Sequence, residues 1–216
     1  MSRILKQAHN TGQIRLWQTA GARPPNQGWD LAFDDHSQII QQQLAGGRSA
    51  DRAVIVVRDP RDVVVSSAYY HMVCEEAWVK RRSWSNPTSY QDKINSLPSM
   101  QERFQFEIDQ CAGETIRSMC GVPWHDERIL RSRYEDLVTD ESLGAFREMF
   151  VFLGFSPDLV DSLCDLAYEN SIFSGNIPVG GHRRNGLPGQ HVLEFDSQTA
   201  TYFADAFGSS LATLGY

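Results

Sequence analysis

The sequence predicts an α/β fold in which a parallel β-sheet is flanked by helices. Residues 53–57 form the β-branched run Ala53-Val54-Ile55-Val56-Val57, the composition of a strand buried on both faces. At Arg58-Asp59-Pro60 that run gives way to helical spacing, the change of period expected where a strand feeds a helix. A second strand-like run, Ile129–Tyr134, is again followed by helical segments, which points to parallel strands joined through helices.

Taken in order, Ile14–Trp17 reads as a short strand and Gly21–Gly28, with Pro24-Pro25 and Asn26-Gln27-Gly28, as a loop. Ser37–Leu44 has helical spacing and Gly46-Gly47 stops it. After the central strand, Pro60 cannot extend a sheet and pushes Asp59 out of the α region, so the chain turns there. Asp62 reads as the cap of a helix over 62–79. Arg81–Tyr90, with Asn86-Pro87, reads as a mobile loop. Met100–Met119 carries Phe104, Ile108, Cys111, Ile116 and Met119 at roughly helical intervals. Leu143, Phe146, Phe150 and Leu153 mark a helix over Ser142–Leu153, stopped by Gly154. Asp158–Tyr168 and Thr199–Leu214 read as helices, and Asn176–Gln190, rich in Gly, Pro and Arg, as the loop between them.

The length of 216 residues suggests one domain over 1–216. The composition, 41% apolar and 22% charged, is that of an ordinary globular protein. A net charge of −7 argues against a general nucleic-acid or anionic-membrane binder, so any anion site must be a local cluster of arginines. Lysine occurs only at Lys6, Lys80 and Lys93. Cys74, Cys111, Cys120 and Cys164 form no metal-ligand spacing, so no metal is expected and reduced thiols are the favoured reading. No apolar run is long enough to span a bilayer, and Met1–Lys6 lacks the apolar core of a signal peptide, so a cytoplasmic protein is expected.

Arg58 falls at the carboxyl end of the predicted strand, where open α/β sheets bind ligands, and close to a helix N-terminus. A guanidinium there suits a phosphate. Taken alone, Arg58-Asp59-Pro60-Arg61-Asp62 is equally explained by ion pairs in a charged turn. Ser66 lies eight residues after Arg58, with a hydroxyl able to reach the same anion. Arg183 and Arg184 stand together in a glycine-rich loop, where Gly186 lets backbone N–H groups approach an anion. By themselves they read more simply as a solvated basic loop.

Together these segments resemble the sulfotransferases that use 3′-phosphoadenosine 5′-phosphosulfate (PAPS) as donor, over about Ala53 to Tyr216. Val56–Ser66 resembles the family's 3′-phosphate motif, which implies that Arg58 and Ser66 hold that phosphate. Arg133-Tyr134-Glu135-Asp136-Leu137 is similar to a segment whose tyrosine lies beside the nucleotide. Asn170-Ser171-Ile172-Phe173 is similar to one whose aromatic packs on adenine. Arg183–Gly189 resembles the C-terminal Arg-Lys-Gly-x-x-Gly loop, with Asn185 where lysine is usual, and implies that Arg183, Arg184 and Gly186 clamp the same phosphate. The resemblance implies a P-loop-like sulfotransferase fold and transfer of a sulfuryl group to a hydroxyl or amine of a small-molecule acceptor. It leaves the oligomeric state open.

The family's opening strand and Pro-Lys-Ser-Gly-Thr-Thr-Trp-like turn have no counterpart; Lys6 is the only lysine before Arg58. Transfer places growing charge on the bridging oxygen of the leaving phosphate, which calls for a cation and N–H donors. The sequence therefore reads either as incomplete at its N-terminus or as a divergent member with that region rebuilt. A non-catalytic nucleotide-binding protein that retains the 3′-phosphate site is the alternative function. A P-loop kinase is disfavoured, because no Gly-x-x-x-x-Gly-Lys-Ser/Thr occurs. For the general base, His36 beside Asp34 and Asp35 is the candidate, although Thr19-Ala20-Gly21-Ala22 resembles a family segment with threonine in place of that base. His71 falls in the helix after Ser66, to face an acceptor pocket or to pack; Trp78, Trp84 and Tyr90 are candidate lid aromatics.

Overall fold

A computed structural model describes residues 1–18, 28–34, 52–81, 88–175 and 186–216. The predicted loop over 21–28 except Gly28, the helix over 37–44 and most of the loops over 81–90 and 176–190 lie outside those residues. The chain forms two compact units, Met1–Val57 with Val122–Pro178, and Arg58–Gly121 with Val179–Tyr216.

The first unit contains α1 (Ser2–Asn10), β1 (Leu16–Gln18), β2 (Leu31–Phe33) and β3 (Ala53–Val57). It continues with β4 (Ile129–Arg133). Its strands pair in parallel, β1 with β2 and β3 with β4, as the alternation of strand and helix predicts. The β3–β4 register runs from Ala53 opposite Ile129 to Val57 opposite Arg133, so both strands end at the same edge. Ile55 and Val57 are buried but Val56 is 38% exposed, so β3 is covered less completely than its composition suggests. Ile4, Leu5, Leu137, Phe146, Phe150 and Leu163 are among the side chains that close this unit's core.

The second unit is helical. It opens with α2 (Pro60–His71) and α3 (Ala77–Lys80), followed by α4 (Tyr90–Ser96) and α5 (Met100–Glu107). A π-helical turn over Ile108–Ala112 leads into α6 (Gly113–Cys120). Val64, Val65, Ile94, Phe104, Ile108, Ile116 and Phe203 fill its core. The helix expected over 62–79 begins two residues earlier and ends at His71. Asp59, not Asp62, is its cap: the Asp59 carboxylate accepts from the Arg61 N–H at 2.9 Å, with Pro60 in the first turn. At the other end, Gln91 donates to the His71 and Cys74 carbonyls at 3.1 and 2.9 Å, and Asn95 donates to the Met72 carbonyl at 3.0 Å. Those side chains of α4 satisfy carbonyls that continued helix would have used.

The first unit resumes after β4 with α7 (Tyr134–Thr139), α8 (Gly144–Phe152) and α9 (Pro157–Glu169). Tyr134 opens α7 instead of ending the strand. The second unit closes with α10 (His191–Glu194) and α11 (Ser197–Leu214). All four cysteines are free thiols. No helix among the described residues is long and apolar enough to cross a membrane.

Candidate functional site

The chemistry is densest where β3 ends and α2 begins. Two ion pairs sort the charges of the Arg-Asp-Pro-Arg-Asp turn. Arg61 folds back on the cap, donating from Nε to Asp59 Oδ1 at 3.0 Å and from Nη2 to Asp59 Oδ2 at 2.6 Å. Those hydrogen bonds raise the Arg61 pKa, so this guanidinium is committed to the turn. Arg58 is set differently. Its side chain is 19% exposed, and its Nη2 lies 3.8 Å from Asp62 Oδ2, beyond hydrogen-bond length. The ion-pair reading of this motif thus fits both arginines, Arg61 at close range and Arg58 at longer range to Asp62.

Asp62 is the residue whose role sequence reasoning missed. Its side chain is completely buried. Its carboxylate accepts from the Gly189 N–H at 2.6 Å and the His191 N–H at 2.9 Å, and it pairs with His191 Nδ1 at 2.7 Å. Burial by itself raises the Asp62 pKa. Hydrogen bonds from the His191 ring, the His191 and Gly189 N–H groups and the Arg58 charge outweigh it and hold the carboxyl below the usual range. The signal in the sequence was faint: Asp62 stands three residues before the buried Val65, on the edge of the apolar stripe.

Ser66 is exposed and lies one turn further along the same face of α2 as Asp62. Gly186 has φ +71° and Gly189 φ +76°, left-handed conformations that favour glycine, and these residues lead into α10. In the first unit, Tyr134 is half-buried at the start of α7. Phe173 is half-buried in a turn where the Ser171 hydroxyl oxygen accepts from the Phe173 N–H at 3.1 Å and the Ser174 N–H at 3.3 Å. His36, Arg183 and Arg184 lie outside the described residues.

The other end of α2 carries a second polar cluster, of which the sequence indicated His71, Trp78 and Tyr90 but not Glu107. His71 Nδ1 lies 3.0 and 3.1 Å from the two oxygens of the fully buried Glu107, and the Tyr90 hydroxyl donates to Glu107 at 2.8 Å. Trp78 and Tyr90 stand edge-on to the imidazole, with ring centroids 5.0 and 5.3 Å away. His71 is therefore packed in the core. Burial first, and the Glu107 charge and hydrogen bond next, push the Cys111 thiol up to about 12. Among the described residues, His71, Glu107 and Cys111 bring ligand atoms within 4.8 Å of one another, the spacing a cation would need. Hydrogen bonds already occupy both oxygens of that carboxylate, and the thiol is held protonated.

The sulfotransferase-domain family model matches residues 48–174. The chain belongs to the sulfotransferase family. The matched segment holds Arg58, Asp62, Ser66, Tyr134 and Phe173, and stops short of Arg183, Arg184, Gly186, Gly189 and His191. No curated protein matches the sequence. The chemistry of the family is transfer of a sulfuryl group, and the parallel pair β3–β4 fits its α/β class.

Proposed function

We propose that this chain transfers a sulfuryl group from PAPS to a hydroxyl or amine of a small-molecule acceptor. The observation that carries the reading is Arg58, a cation at the carboxyl end of a parallel strand and directly before a helix that opens at Pro60. A terminal phosphate gains there from the guanidinium and from the positive end of the helix dipole. Ser66, on the same helix, adds a hydroxyl donor. Arg183, Arg184 and Gly186 complete the hold on the 3′-phosphate, Tyr134 and Phe173 frame the adenosine, and His36 is the general base.

In the reaction the acceptor oxygen or nitrogen attacks sulfur in line. The bond from sulfur to the bridging phosphate oxygen breaks, the acceptor's proton passes to the base, and 3′-phosphoadenosine 5′-phosphate leaves. The residues proposed for the 3′-phosphate fix the donor's far end and so its orientation.

One sequence observation favours a second reading. Lys6 is the only lysine before Arg58, so the usual cation for the leaving oxygen is not evident. Incubation with donor carrying labelled sulfur and a panel of phenols, alcohols and amines separates the two. Label on an acceptor is the expected result. Bound nucleotide without transfer supports a non-catalytic nucleotide-binding protein, and no binding at all refutes both.

A further inference from the structure

In the cluster at the far end of α2, three protic groups converge on one buried carboxylate. His71 Nδ1 lies 3.0 Å from Glu107 Oε1, the Tyr90 hydroxyl donates to Oε2 at 2.8 Å, and the Cys111 thiol bonds to the same carboxylate. His71 closes α2, Tyr90 opens α4, Glu107 closes α5, and Cys111 stands in the π-helical turn. Turns of that kind are rare and recur at functional sites. This one starts directly after Glu107 and carries Cys111, four residues on and on the same side of the helix. Gly113 makes room for it, since a Cβ there would stand 2.3 Å from the Ile108 carbonyl oxygen.

We propose that His71, Glu107 and Cys111 form a structural zinc site that clamps the end of α2 to the end of α5. Imidazole, carboxylate and thiolate are the protein ligands zinc takes, whereas Mg²⁺ and Ca²⁺ select oxygen. The three ligand atoms lie within 4.8 Å of one another; tetrahedral bonds of about 2.0–2.3 Å need separations of roughly 3.5 Å, so closure takes about 1 Å of side-chain movement. The metal takes the place of protons. Zinc bonds to sulfur as the S–H bond breaks and its proton leaves to solvent, while the imidazole keeps one proton on Nε2 and gives the Nδ1 electron pair. A charged imidazole releases a second proton. Tyr90 then stays on one carboxylate oxygen and orients the other toward the metal. Burial keeps the thiol protonated, and the charges of Glu107, Glu114 and Glu76 add to that effect; the same charges attract a divalent cation, which deprotonates the sulfur it binds. Cys111 is half-buried and gives the cluster its open side. No ligand spacing along the chain announces the site, because His71 comes from another helix, 36 residues before Glu107.

The test titrates cobalt(II), a coloured substitute for zinc, into the full chain after treatment with a chelator, and then displaces it with zinc. One equivalent is expected to bind with the absorption of a tetrahedral cobalt–thiolate centre, and zinc but not Mg²⁺ is expected to displace it and to raise the thermal unfolding midpoint. Cys111→Ser retains a hydroxyl beside Glu107, and circular dichroism checks that it folds. It is expected to lose the thiolate absorption and at least tenfold in zinc affinity. Glu107→Gln is expected to lose affinity likewise, and Cys120→Ser to change neither readout. Absence of cobalt–thiolate absorption in the unmodified chain, or the same absorption and zinc affinity in Cys111→Ser, overturns the proposal.

Discussion

Helix α2 carries a buried polar cluster at each end, and the two are built on different partners. At its start, Asp62 gives its oxygens to backbone N–H groups more than a hundred residues away in sequence. At its end, His71 meets Glu107, whose partners are side chains of α2 and α4. Both carboxylates are completely out of solvent, so partners must offset the desolvation of each. A carboxylate holding backbone amides fixes the course of a connecting segment. One holding side chains locks helices against each other. The first arrangement belongs to the strand end where the anion site is proposed, and the second to the core.

The contrast makes its largest prediction at Glu107. Glu107→Ala leaves the His71 and Tyr90 donors buried without an acceptor and is expected to cost about 3 kcal/mol in urea unfolding. Nucleotide affinity of the folded fraction should not change. An affinity loss matching that of Arg58→Ala would erase the distinction between the two ends. Gly113 sharpens the core side. A Cβ there would stand 2.3 Å from the Ile108 carbonyl oxygen and 2.9 Å from the Phe207 ring. Gly113→Ala is therefore expected to destabilise by about 2 kcal/mol, read from the same unfolding curves.

Asp62 gives a smaller effect with a pH signature. Its native pKa is lowered, so its stabilisation is complete above the unfolded value of about 3.9 and is lost as the pH falls through the lower native value. Asp62→Asn is expected to cost about 1 kcal/mol at pH 7, and the gap to the unmodified protein should close below about pH 4. A gap that stays constant into acid would contradict the assigned contacts. The mildest readout is chemical. With its pKa pushed up to about 12, Cys111 should alkylate far more slowly at pH 8 in the folded protein than after denaturation, and faster in Glu107→Gln.

These two ends also show how far the sequence could be read. The β3 run, the turn at Pro60 and the position of Arg58 were legible because composition and proline geometry act locally. The helices at 144–152, 157–169 and 197–214 were legible from their apolar spacing. The end of α2 was not, because Gln91 and Asn95 terminate it from twenty or more residues away. The π turn was half visible: Cys111 and Ile116 are five residues apart in a stripe that otherwise recurs every three or four. Asp62 was mistaken for a cap because helix-capping rules consider neighbours along the chain, whereas its partners arrive from the C-terminal segment. Glu107 sits on the apolar stripe between Phe104 and Cys111, a placement that signals burial but names no partner.

The account depends most on the guanidinium at the end of β3. Calorimetric titration of 3′-phosphoadenosine 5′-phosphate into the protein and into Arg58→Ala tests it directly. Binding by the unmodified chain, weakened at least tenfold in Arg58→Ala, is the result the account predicts, in line with a lost charge-assisted contact of more than about 1.4 kcal/mol. Equal affinity in the two proteins would contradict it.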